Sequence, residues 1–234
     1  METTISIGAS HRATGWTAIT SGLIGIIGVV FLITFLTGHL KSVSEDEFFL
    51  VRIHDGCVVV QFLLMIRFLF GLRDIPNQQS NRMSQVQFGI GIAALSFTIL
   101  FLLLNFPKIL ADVLYMVPQG IFGVWLIVAC LQKRGDISGG VRWFGVIVGI
   151  GLGLVGLYPI GYAVLVDSIL LQIPAPSNEA LANVPMTTAN AILHIMLMIG
   201  SLLGVFPLPI WTILVGGRLI SGKRRAKGPQ FSEG

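Results

Sequence analysis

The stretch VRWFGVIVGIGLGLVGLYPIGYAVLV, Val141–Val166, decides the fold. It carries a single charge, Arg142, at its start, and it exceeds the roughly 20 apolar residues that span a hydrocarbon core. Gly145, Gly149 and Gly153 recur at four-residue spacing, so on a helix they form a flat face that a second backbone can approach closely. A long apolar helix with such a face reads as a membrane span built to pack. Close packing within one molecule is the first use of these glycines, and dimerisation the second.

Five further segments have the same character: Trp16–Thr37, Phe49–Leu72, Gln87–Phe106, Asp112–Leu131 and Thr188–Leu219. Hydrophobic residues make up 54% of the 234 and charged residues 11%, against roughly a quarter charged in a soluble domain. The chain therefore reads as all-α: a six-span transmembrane helical bundle in one integral domain, 1–234, joined by short loops and ending in a basic tail, 220–234. Gly22, Gly25 and Gly28 give the first helix a small-residue face of its own. The last segment is too long for a simple span, and Pro207 and Pro209, which remove backbone donors, predict a kink in it.

Charge sets the expected topology. Arg12, Arg73, Arg82, Lys133, Arg134, Arg142, Arg218, Lys223, Arg224, Arg225 and Lys227 fall on one side of the six segments, with Arg67 just inside the second. Lys41, Arg52 and Lys108 fall on the other. Cations near helix ends are retained in the cytoplasm, which predicts a plasma-membrane protein with both termini cytoplasmic. The basic tail reads as a topology anchor against anionic headgroups, with no nucleic acid implied. Trp16, Trp143 and Trp211 on the basic side, and Tyr115, Tyr158 and Tyr162 on the other, are expected interfacial anchors. Cys57 and Cys130 fall at opposite depths and read as apolar filler rather than a disulfide.

Ionisable and polar groups inside spans are the functional candidates. In the second helix these are Arg52, His54, Asp55 and Gln61, with Arg52 and Asp55 spaced to pair; in the sixth they are Asn190 and His194. Both helices begin on the outer side, so the two histidines come to comparable depth. Three readings follow: a buried network that fixes the packing of the second helix against the sixth, an outward pocket for a small ligand, solute or proton, and a haem b or metal site held by His54 and His194. No cofactor is the first expectation. No His-Glu-x-x-His, Gly-x-Ser-x-Gly or phosphate-binding loop is present, which disfavours hydrolysis and nucleotide-driven transport.

Arg12-Ala-Thr-Gly-Trp16, the segment His54-Asp-Gly-Cys-Val-Val-Val-Gln61-Phe-Leu-Leu-Met65 and the ending Pro209-Ile-Trp211-Thr-Ile-Leu-Val-Gly216-Gly-Arg218-Leu219 together resemble a broad set of bacterial polytopic membrane proteins of unknown activity. The resemblance implies a six-helix bundle in a bacterial inner membrane and supplies no functional residue. The resulting expectation is a non-enzymatic accessory or small-ligand-sensing membrane subunit, with a membrane-protein partner or a second copy of itself beside the lipid bilayer. A small-solute or proton-coupled transporter and a haem-binding redox subunit are the alternatives.

Overall fold

The computed structural model describes residues 2–38, 45–73, 85–111, 113–132, 138–175 and 187–221. Among these the chain is all-helical, without a strand. Its helices are α1 Glu2–Gly38, α2 Glu45–Arg73, α3 Gln85–Asn105, α4 Met116–Leu131, α5 Gly139–Leu165 and α6 Thr188–Ser221. All except α4 are long and apolar enough to cross a membrane. α4 has 16 residues, about 24 Å of helix against a hydrocarbon core of ~30 Å. Turns that bond Leu114 N to Ala111 O and Met116 N to Val113 O prolong it toward α3. The expected segments match these helices closely, except that α1 starts well before Trp16 and α4 starts at Met116. Lys41, Arg82, Asp112, Lys133, Arg134 and the tail from residue 222 lie outside the described residues.

Each helix packs on the next in sequence, and α6 closes the series onto α1, so the six form a ring. Neighbours run antiparallel: Thr14 of α1 faces Gly71 of α2, whereas Gly28 faces Cys57. The described chain thus begins and ends at the same end of the bundle, beside Arg73, Arg142 and Arg218. This is its basic end.

Large aliphatic side chains cover the outside, among them Leu23, Leu63, Leu103, Val124 and Leu157. The inside is filled by Phe62, Met65, Phe68, Phe122, Leu126 and Leu152. An outer surface as apolar as the core is compatible with lipid as the solvent, and in lipid the association of helices gains little from the hydrophobic effect. Close fit must supply it instead. α4 and α5 meet through glycines on both sides: a Cβ on Gly120 would lie 2.6 Å from Gly156 Cα, and one on Gly123 would lie 2.6 Å from Gly149 O.

The expected glycine face of α5 divides among neighbours. Gly149 faces α4, Gly145 lies against Cys130 and the Trp211 indole, and Gly153 has open space where its Cβ would be. Gly22 of α1 meets Ile213 and Thr212 of α6.

Within α6 the helix changes character. Thr188–Gly200 is α-helical, Ser201–Val205 forms a π turn with Phe206 N bonded to Ser201 O at 3.1 Å, and Pro207–Ser221 is α-helical again. The π turn sits directly before Pro207 and Pro209, the residues expected to disturb the helix. Three expected interfacial anchors are instead interior: Trp211, Tyr158 and Tyr162 are each 6% exposed. Trp16 and Trp143, at 59% and 65%, do face outward. The reason is direction around the helix, which depth along the sequence does not reveal.

Gly120→Ala, which sets a Cβ against backbone that cannot move aside, is expected to destabilise the protein by about 1–3 kcal/mol. Gly153→Ala, into open space, should be neutral or stabilising by up to ~1 kcal/mol. Thermal unfolding of the two variants in detergent checks the pair.

Candidate functional site

The polar residues singled out on α2 divide by helix face. His54 and Gln61 are two turns apart and look toward α1. His54 is buried, and its Nδ1 lies 2.9 Å from Gly28 O. A carbonyl only accepts, so Nδ1 carries the proton in this contact and, in the neutral ring, Nε2 holds the lone pair. Gly28 makes room for this, because a Cβ there would stand 3.1 Å from Cys57 Cβ. Two turns deeper, Ser21 Oγ donates to Gln61 O at 3.0 Å, and the Gln61 amide lies over Gly25, whose Cβ would come within 2.6 Å of Oε1. Gln61 Nε2 is buried with no hydrogen-bond partner among the described residues.

Asp55 is buried on the stripe that also carries Phe62, Met65 and Leu69 and so looks into the ring. Arg52 is exposed; its Nη2 donates to Phe106 O at 3.4 Å and its guanidinium stands 5.4 Å from the Phe106 ring. It thereby places a cation at the C-terminus of α3, where the helix dipole favours it.

The α6 candidates belong to a second seam. Thr187 caps the helix by accepting from Asn190 N at 3.2 Å, while Asn190 Oδ1 is buried without a partner among the described residues. His194 is exposed, with its ring 5.6 Å from that of Tyr158 on α5. Tyr158 in turn adjoins Tyr162, at 6.0 Å, in a small cluster with Ala111, Leu170 and Leu193.

The six candidates therefore go to four places: His54 and Gln61 against α1, Asp55 toward the inside of the ring, Arg52 at the end of α3, and Asn190 and His194 beside α5. An iron between the two imidazoles would need both rings turned into one slot, yet His54 engages Gly28 and His194 engages Tyr158. No group of three or more potential metal ligands occurs among the described residues.

A second set of polar contacts, which sequence reading passed over, gathers at the basic end. Arg142 Nε donates to Cys130 O at 2.9 Å and Nη2 to Leu131 O at 3.2 Å, so the first turn of α5 caps the last turn of α4. Trp125 Nε1 donates to Gln87 O at 2.7 Å, Gln132 Nε2 to Gln87 Oε1 at 2.8 Å, and Trp211 Nε1 to Val141 O at 3.2 Å. The sequence signal was available: Arg142 is the one charge in α5, placed one short loop after α4 ends. Inside this girdle the ring encloses an apolar crevice between α2, α4, α5 and α6.

Comparison of the chain with protein-family models, curated proteins and solved structures gives no match.

Replacing Gln61 with leucine, which keeps the volume and removes the unpartnered amide, is expected to raise stability, because an unsatisfied buried donor costs about 1–3 kcal/mol. Guanidinium-free thermal melts of the Gln61→Leu protein measure this. A fall in melting temperature would mean that the amide has a polar partner in the membrane.

Proposed function

We propose that this chain is a non-enzymatic accessory subunit of a bacterial plasma membrane, with both termini cytoplasmic, and that the N-terminal half of α6 is the face it offers to a membrane-protein partner. One observation carries the reading. The Thr188–Gly200 half of α6 rests on α5 and leaves His194 exposed among Ile192, Ile195 and Met198. An ionisable side chain facing hydrocarbon is costly, and such groups in membrane helices generally face protein or a water-filled cavity. A neighbouring protein that covers His194 relieves this cost.

The split of the polar candidates supports the accessory reading over transport or redox chemistry. His54 and Gln61 are engaged with α1, and the crevice at the basic end is apolar. Neither arrangement offers a polar route along the ring. The distribution of Lys and Arg favours the cytoplasmic placement of the basic end.

Site-specific photo-crosslinking in native membranes tests the reading. A benzophenone side chain at Ile195 is expected to give a discrete protein adduct, to another subunit or to a second copy of this chain. The same group at Val124, on the outward face of α4, should react with lipid alone. Lipid adducts at both positions would sink the proposal.

A further inference from the structure

The crevice at the basic end is walled by Phe68, Leu72, Trp125, Ala129, Trp211 and Val215, with Arg142 and Gln132 as its polar lining. Its free volume is about 40 Å³, more than the ~10–15 Å³ that admits one water. Water also needs two to four polar partners, and away from Arg142 and Gln132 this wall is apolar: the Trp125 and Trp211 N–H groups are already committed to Gln87 O and Val141 O. The space suits hydrocarbon.

Arg142 adds charge complementarity. Among the described residues, two of its five N–H donors go to Cys130 O and Leu131 O, which leaves three for an acceptor beyond them. A second crevice, of about 80 Å³, runs along the lipid-facing side between Leu131, Gly139, Trp143 and Val146 and reaches the same Arg142. The guanidinium is thus open both to the bilayer and to the interior of the ring.

We propose that this is a binding site for one anionic phospholipid of the leaflet at the basic end, with its phosphate on Arg142 and a short segment of one acyl chain between Trp125 and Trp211. The site is independent of the α6 face and of any partner docked there. Arg142 holds the headgroup at the point where it also holds α4 to α5, so an anionic lipid there braces the junction of these two helices.

The four tryptophans make the test direct, since Trp125 and Trp211 line the crevice and Trp16 and Trp143 face outward. A Trp16→Phe, Trp143→Phe background leaves the interior pair as the fluorophores. It is reconstituted in phosphatidylcholine vesicles doped either with chain-brominated phosphatidylglycerol or with chain-brominated phosphatidylcholine at equal fraction.

The brominated anionic lipid is expected to quench with roughly fivefold higher apparent affinity, the preference that one cation near an anionic lipid provides. Arg142→Gln should abolish that preference, whereas Arg142→Lys, which keeps the charge, should retain it. Ala129→Phe, which fills the crevice and leaves Arg142 in place, should bring quenching by both lipids down to a common low level. Equal quenching by the two lipids in the parent protein would overturn the site. So would a preference that survives Arg142→Gln, or no quenching by either lipid in the folded protein; the last would mean that the chain's own residues occupy the crevice.

Discussion

Backbone-to-backbone contact between α4 and α5 is the interaction on which the rest of the bundle depends. In lipid, burying a leucine between helices gains little over leaving it among acyl chains, so association rests on how closely two helices can fit. Gly120 and Gly123 on one side, and Gly149 and Gly156 on the other, bring the two main chains together where any Cβ would intrude. Arg142 then ties the end of α4 to the start of α5. The shortest helix in the ring is in this way held along its length by its longer neighbour.

The same device recurs where α6 meets its two partners. Gly200 and Gly204 lie against Gly151 and its neighbours on α5, whereas Gly216 lies against Gly15 of α1. Gly204 belongs to the π turn, and two prolines follow it before Gly216. Pro207 and Pro209 have no N–H to donate, and the π turn shifts the hydrogen-bond register just before them. Beyond the break, Thr212 Oγ1 donates to Pro209 O at 2.7 Å, beneath Gly22 of α1. The interruption sits where α6 passes from contact with α5 alone to contact with α1 as well, which is what closes the ring.

Polar groups in this setting are engaged chiefly with main-chain carbonyls. His54 bonds Gly28 O, Ser21 bonds Gln61 O, Trp125 bonds Gln87 O and Trp211 bonds Val141 O. A helical carbonyl keeps a second lone pair after its i+4 bond, so it can accept a side chain from a neighbouring helix without breaking its own. Such bonds select one rotation of each helix against the next. Gln61 Nε2 and Asn190 Oδ1, buried with no partner among the described residues, lie in different seams, one against α1 and the other against α5.

The sequence by itself determined the helical class, the position of nearly every helix and the alternation that returns the chain to its starting end, because long apolar runs separated by charged loops admit few other arrangements in a membrane. It also marked Pro207 and Pro209 as the site of disturbance in the last helix. What it did not contain was rotation about each helix axis. That alone sent His54 to α1 and His194 to the outside, turned Trp211 and Tyr158 inward, left Gly153 without a neighbour and set Arg142 in the lining of an apolar crevice. Apolar residues surround these helices almost completely, so no polar stripe in the sequence declares an outer face. The packing of glycine on glycine and the side-chain bonds to carbonyls of neighbouring helices, both decided in three dimensions, choose which way each helix turns.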